Sequence, residues 1–213
     1  MSINKYIDHT NLKPFATEQD IEKLCKEAAE HNFASVCINP CYVPMAAELL
    51  RGTDVKVCTV IGFPLGANTT TVKAVETAEL YDLGCDEFDM VINIGALKDK
   101  KYDYVRDDIA AVVAAAKDRC VKVIIEAGLL TDEETAIATK LSCEAGAHFV
   151  KTSTGVNTTG ATVADVKIMK ANVTEGVKIK AAGGIKTLEF ANELIAAGAE
   201  RIGTSSGIEI TKA

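Results

Sequence analysis

Lys151 and Lys180 stand at the ends of two short apolar runs, Phe149-Val150-Lys151 and Val177-Lys178-Ile179-Lys180, and Asp89 sits within a third, Glu87-Phe88-Asp89-Met90-Val91-Ile92. A lysine that has lost its proton adds to a carbonyl, giving a carbinolamine and then an iminium. The iminium is the electron sink needed to cleave the carbon–carbon bond one carbon away. Two ammonium groups held close together disfavour each other's charge, and burial acts in the same direction, so either lysine is eligible as the free amine. A carboxylate beside the pair keeps one lysine charged and relays protons through water, which is the part Asp89 would take.

Such chemistry requires the three residues to meet. Short β-branched runs alternate with longer amphipathic stretches from end to end, the pattern of βα units around a parallel sheet. Strands are expected at Tyr6–Thr10, Ser35–Asn39, Val55–Gly62, Glu87–Asn93, Val121–Ala127, His148–Thr152, Val177–Ala182 and Arg201–Thr204. Helical spacing of apolar residues predicts helices over Glu18–Glu30, Val43–Leu50, Thr70–Leu83, Tyr104–Asp118, Asp132–Ala145, Val163–Ala171 and Leu188–Ala197. Thr17, Thr131 and Thr187 fall where N-caps belong, Thr131 with Glu134 makes a capping box, and Gly84, Gly146 and Gly198 each separate a helix from a strand. Eight strands is the count that closes a (β/α)8 TIM barrel, with residues 1–213 as one catalytic domain. An open doubly wound sheet fits the same alternation, but its usual nucleotide fingerprints, G-x-G-x-x-G after the first strand or a Walker lysine loop, are missing.

In a barrel, the apolar alternate residues of each strand face the helices and the others face the axis. Phe88, Met90 and Ile92 outward turn Asp89 inward; Val121, Val123 and Ile125 outward turn Lys122, Ile124 and Glu126 inward. Val177 and Ile179 outward leave Lys178 and Lys180 inside, and Lys151 shares a face with Phe149 and Ser153. Asp89, Lys122, Lys151 and Lys180 therefore converge on one axis. Lys178, at a strand start, reads as a lysine reaching the solvated bottom rim, and Lys122 fits either an ion network or the site. Lys151 and Lys180 lie at strand carboxyl ends, where barrel enzymes place their chemistry.

Three loops at strand carboxyl ends are rich in small backbone donors: Thr152-Ser153-Thr154-Gly155, Ala182-Gly183-Gly184-Ile185 and Gly203-Thr204-Ser205-Ser206-Gly207. The last two follow strands seven and eight, where barrels hold phosphate, so a phosphorylated substrate is expected. His9 and His148 lack any metal-ligand or triad context, Cys37 and Cys41 are not in a zinc spacing, and no metal is expected.

The formal net charge of −7, from 30 acids and 23 bases without a basic block, makes nucleic acid a poor partner, although a local pocket can still be cationic. No stretch approaches the roughly 18 apolar residues of a membrane span, and the Met1-Ser2-Ile3-Asn4-Lys5 start lacks the apolar run of a signal peptide. Seven cysteines, an odd number, with Cys37, Cys58, Cys85 and Cys143 in or beside apolar segments, fit a reducing cytoplasm.

Seven segments together resemble the deoxyribose-phosphate aldolases, class I aldolases with a (β/α)8 barrel. They are Ile7-Asp8-His9-Thr10-Asn11-Leu12, Ser35-Val36-Cys37-Ile38-Asn39-Pro40, Gly62-Phe63-Pro64-Leu65-Gly66, Glu87 to Gly95, Phe149-Val150-Lys151-Thr152-Ser153-Thr154-Gly155, Lys180-Ala181-Ala182-Gly183-Gly184-Ile185 and Gly203 to Gly207. The resemblance implies reversible cleavage of 2-deoxy-D-ribose 5-phosphate to acetaldehyde and D-glyceraldehyde 3-phosphate, without metal or organic cofactor. It implies Lys151 as the Schiff-base lysine, Lys180 as the neighbour that depresses its pKa, and Asp89 as the proton-relay acid. It further implies Thr154, Gly155, Gly183, Gly184, Ser205 and Ser206 around the phosphate, Cys37 in the substrate pocket, Lys122 in the same inward network, and Asp8 as a first-strand aspartate of unassigned role. Some members carry a C-terminal tail ending in a tyrosine that assists proton transfer; here no tyrosine follows Tyr104, so weaker enamine protonation is expected. A homodimer is compatible with the small barrel. Two other readings compete: another Schiff-base sugar-phosphate aldolase, and a sugar-phosphate-binding barrel without catalysis.

Overall fold

The computed structural model describes residues 3–212. Met1 and Ser2, on which the reading of the start partly rests, and Ala213, on which the reading of the C-terminal tail rests, lie outside the described residues. Strands β1 (Ile7–Asn11), β2 (Ser35–Ile38), β3 (Lys56–Ile61), β4 (Glu87–Val91), β5 (Cys120–Ile124), β6 (Phe149–Lys151), β7 (Lys178–Ala182) and β8 (Arg201–Thr204) pair in parallel in chain order. The sheet closes where β8 pairs with β1 in the register Ile7↔Ile202 and Asp8↔Gly203, which excludes the open doubly wound arrangement. The chain is a (β/α)8 barrel.

The helices are α1 (Glu18–Glu30), α2 (Val43–Leu49), α3 (Thr70–Asp82), α4 (Ile94–Lys98), α5 (Tyr102–Ala115), α6 (Asp132–Glu144), α7 (Val163–Asn172), α8 (Leu188–Ala197) and α9 (Gly207–Lys212). Thr17, Thr131 and Thr187 cap α1, α6 and α8 by accepting from Asp20, Glu134 and Phe190 backbone N–H groups. The Thr131–Glu134 capping box is formed. The outward strand residues Phe88, Met90, Val121, Val123, Val150, Ile179 and Ile202 are all buried against this helical ring. Burial of each is worth about 1.5–3 kcal/mol, and it fixes which residues are left for the lumen. Among the described residues no helix is long and apolar enough to cross a membrane.

β2, β3 and β6 end one residue earlier than expected, and β4 and β5 end two and three residues earlier, the last two each for a polar reason. Asn93 leaves β4 to cap α4, its Oδ1 accepting from the Ala96 N–H at 3.0 Å. Glu126 takes a left-handed backbone, φ 53°, that a strand cannot continue through. The short helices α4 and α9 follow β4 and β8; their apolar repeats are too brief to show helical periodicity.

Candidate active site

Asp89 is the hub of the barrel lumen. Its Oδ2 accepts from Lys151 Nζ and Lys180 Nζ, each at 2.7 Å, and its Oδ1 accepts from Lys122 Nζ at 2.8 Å and Cys58 Sγ at 3.1 Å. Lys180 Nζ also lies 2.5 Å from Asp8 Oδ2, an ionic contact off the line of a hydrogen bond. Lys122 Nζ reaches Glu87 at 2.6 Å and Asp8 at 3.7 Å, and Arg201 bridges Asp8 and Glu87 from below. Phe149 lies against the Arg201 guanidinium, 5.6 Å from ring centre to carbon, and closes the floor. The inward convergence of Asp89, Lys122, Lys151 and Lys180 is thus present. Lys178 is instead half exposed at the rim, 4.0 Å from Glu200.

Burial opposes every charge here, and the partners decide the outcome. Burial alone would raise the Asp8 and Asp89 carboxyls, yet the surrounding cations hold both below the ordinary value of 3.8. Burial would likewise strip Lys180, but Asp8 and Asp89 push it above 10.5, and Asp89, Cys58, Glu87 and Asp8 do the same for Lys122. The carboxylates around Lys180 and Lys122 therefore favour the ammonium form of both. A stability profile follows with a definite sign. The carboxylates titrate lower folded than unfolded, so their contribution is complete above pH 3.8 and is lost as pH falls toward the folded values. The lysines titrate higher folded, so theirs is complete below pH 10.5 and is lost as pH rises through the folded values. Thermal unfolding followed across pH should show the network's contribution level between those limits, and Asp8→Asn should make the acid limb shallower.

A cavity of about 490 Å³ opens at the carboxyl ends of the strands. Lys151 lines it, together with Thr154, Gly155, Gly183, Gly184 and Ser205 from the three glycine-rich loops. Asp89, Lys180, Lys122 and Cys37 are completely buried behind Lys151 and do not line the cavity. Two glycines allow the loops after β6 and β7 to meet: a Cβ on Gly160 would sit 2.0 Å from the Gly183 carbonyl oxygen, and one on Gly183 2.8 Å from Gly160 Cα. The Ser206 N–H donates to Thr204 Oγ1 at 2.9 Å, and the Thr154 N–H donates to Glu126, so these amides already have partners. His9 is at the wall, its Nε2 2.8 Å from Glu27 Oε2, while His148 Nδ1 accepts from the Val121 N–H away from the cavity. Lys13, Lys23 and Lys186 bring positive charge to the mouth against Asp20 and Glu27, a local cationic pocket on an acidic chain.

The family model described as "DeoC/LacD family aldolase" matches residues 3–213. The chain belongs to this aldolase family. A "Deoxyribose-phosphate aldolase" from Streptococcus suis (strain 98HAH33) is 60% identical over 210 residues, covering 99% of this chain and 96% of its own length. The protein of the same description from Clostridium tetani is 58% identical over 213 residues, 100% of this chain and 99% of its own. The tetrameric deoxyribose phosphate aldolase structure from Aeropyrum pernix superposes with a TM-score of 0.92 at 35% identity, covering 99% of this chain and 89% of that one.

Several residues that organise the aldolase site are given no role in it by the sequence, although Glu126 is expected to face inward. Glu87 shares the parity of Asp89, so the alternation that found one could have found the other. Arg201 opens β8 beside outward Ile202, and its inward neighbour Gly203 has no side chain to mark the face. Glu126, inward by parity, is buried and accepts from the Thr154 N–H at 3.2 Å, from Asn157 Nδ2 at 3.3 Å and from Thr158 Oγ1 at 3.3 Å. Asn157 Nδ2 also donates to Pro64 O at 2.7 Å, tying the β6–α7 loop to the loop that carries Phe63. Glu126→Gln keeps the size but removes the charge from three donors. The loop over residues 154–159 is expected to be cut about 5- to 30-fold faster in limited proteolysis, the equivalent of about 1–2 kcal/mol of lost closure.

Proposed function

We propose that this chain is a class I aldolase that reversibly cleaves 2-deoxy-D-ribose 5-phosphate to D-glyceraldehyde 3-phosphate and acetaldehyde through a Schiff base on Lys151. One observation carries the reading: Lys151 is the lumen lysine that both lines the cavity and touches Asp89. The descriptions of the Streptococcus suis and Clostridium tetani relatives support the substrate. With all groups charged, Lys122, Lys151, Lys180 and Arg201 face Asp8, Glu87 and Asp89, four cations against three carboxylates. Lys151 pairs with one carboxylate where Lys180 pairs with two, so Lys151 is the lumen lysine held by the fewest counter-ions.

The neutral Lys151 amine adds to C1 of the open-chain sugar, and loss of water from the carbinolamine leaves the iminium. A proton leaves the C3 hydroxyl, the C2–C3 bond breaks, C3 becomes the aldehyde of glyceraldehyde 3-phosphate, and the electron pair passes into the C1–C2 enamine. Protonation at C2 and hydrolysis return acetaldehyde and the free amine. Asp89, held ionised between Lys151 and Lys180, relays these protons through water, while the fixed ammonium of Lys180 keeps positive charge beside the developing iminium. Backbone groups of Gly155, Gly183, Gly184 and Ser205, with Lys186 near them, hold the phosphate at the far end of the cavity. Leu12 and Phe63 line the same cavity and supply an apolar wall for the two-carbon end.

Incubation with acetaldehyde and D-glyceraldehyde 3-phosphate tests the reading. Formation of 2-deoxyribose 5-phosphate, read by NMR, is expected; condensation only with a different donor would replace this substrate by that of another Schiff-base aldolase, and no condensation would leave a binding barrel. The homodimer belongs to the same proposal, supported by the tetrameric Aeropyrum pernix relative. Light scattering in solution should give twice the chain mass, and a monomer mass would exclude it.

A further inference from the structure

Cys37 and Cys58 are register partners on the adjacent strands β2 and β3, and both are fully buried. The two sulfurs and a carboxylate oxygen of Asp89 all lie within 4.8 Å of one another. Packing explains a buried cysteine as a small apolar residue; it does not explain two thiols turned onto a carboxylate.

Two thiols and one carboxylate are a donor set for a soft divalent cation. Zn–S bonds of about 2.3 Å in a tetrahedral site place two sulfurs about 3.8 Å apart, inside the 4.8 Å span of the three donor atoms. The lumen is rich in cations and repels an added dication, but coordination by two thiols releases two protons, so the net charge does not change. The hydrogen bond from Cys58 already lowers the Cys37 thiol, whereas burial raises that of Cys58, so the cation must drive off the Cys58 proton. Lys122, 3.2 Å from Cys58 Sγ and 2.8 Å from Asp89 Oδ1, has to give way; it has Glu87 at 2.6 Å to retreat to. Phe63 and Leu12 pack against the pair and also line the cavity, which marks the route of entry.

We propose that Cys37, Cys58 and Asp89 form an inhibitory site for a thiophilic divalent cation, Zn²⁺ or Cd²⁺, which ligates the carboxylate that Lys151 touches. The exchange is one cation for two thiol protons, with no change of oxidation state. Turnover falls because the relay carboxylate is ligated, and a chelator restores it.

Cd²⁺ alone is the probe, and the thiolate-to-cadmium charge-transfer absorbance is the readout, which does not depend on the protein being an aldolase. Exposed Cys41 is the obvious competitor, so the reference is Cys41→Ser. It is expected to bind one Cd²⁺ per chain with a two-sulfur band, while adding Cys37→Ser or Cys58→Ser weakens binding about tenfold or more. A band lost with Cys41→Ser alone, unchanged by the lumen substitutions, or never formed overturns the proposal. Should a lumen variant fail to fold by circular dichroism, the cadmium NMR shift of the Cys41→Ser protein counts the sulfurs directly, and any count other than two refutes the site.

Discussion

Borohydride reduction in the presence of acetaldehyde is expected to add one reduced two-carbon unit to this chain and none to Lys151→Ala. Three lysines occupy the lumen, so the specificity of that adduct is a physical question. An ammonium has no lone pair to offer a carbonyl. Asp8 and Asp89 hold Lys180 charged, and four neighbouring groups hold Lys122 charged, both above the ordinary lysine value. Both are also completely buried and absent from the cavity wall, so neither can take over from Lys151. Turnover of Lys151→Ala should fall about ten-thousand-fold or more, the scale of losing a covalent nucleophile. Its thermal midpoint should stay close to that of the parent chain, because Lys122, Lys180 and Arg201 remain opposite Asp8, Glu87 and Asp89, and Asp89 stays paired with Lys122 and Lys180. Intact mass and a melting curve check both halves. An adduct on Lys151→Ala would move the nucleophile elsewhere, and a collapsed midpoint would make Lys151 structural first.

Much of this arrangement is legible in the sequence because β-strand parity is a strict rule. Phe88, Met90 and Ile92 have to face the helices, and Asp89 then has no other place than the lumen. The same step applied to the strand of Val121 and to that of Ile179 brings in Lys122 and Lys180. Which lysine stays charged is not legible in the same way. Repulsion between Lys151 and Lys180 is symmetric, and the asymmetry comes from Asp8, on a strand six places from that of Lys180 in chain order but only two away across the β1–β8 closure. The glycine clusters mark the phosphate loops because few other residues permit such close backbone approach. That the amides of Thr154 and Ser206 are already taken depends on Glu126 and Thr204, partners set by tertiary geometry rather than by local pattern. The strand ends escaped for a related reason: Asn93 and Glu126 follow unbroken apolar runs, and only a cap and a left-handed turn show where pairing stops.

Asp89→Asn separates formation of the iminium from its use. The substitution preserves shape and removes one negative charge, leaving Lys122, Lys151, Lys180 and Arg201 opposite only Asp8 and Glu87, four cations against two carboxylates. Breaking a buried ion network by removing one partner costs about 3–5 kcal/mol, and loss of a proton from one lysine offsets part of that. Among the described residues Lys151 pairs with Asp89 alone, so it is the lysine that loses its last counter-ion while staying at the cavity wall. Borohydride trapping by acetaldehyde should therefore survive in Asp89→Asn. Turnover should not, because the group that passes protons to and from the C3 hydroxyl and C2 is gone, a loss of about 100- to 10,000-fold. The alkaline limb of stability should also move to lower pH, since Lys122 and Lys180 each lose a carboxylate that raises them. Loss of trapping and turnover together would mean that Asp89 positions Lys151 instead of relaying protons. Retention of both would mean that water alone carries them, with Lys180 as the only charge the iminium needs beside it.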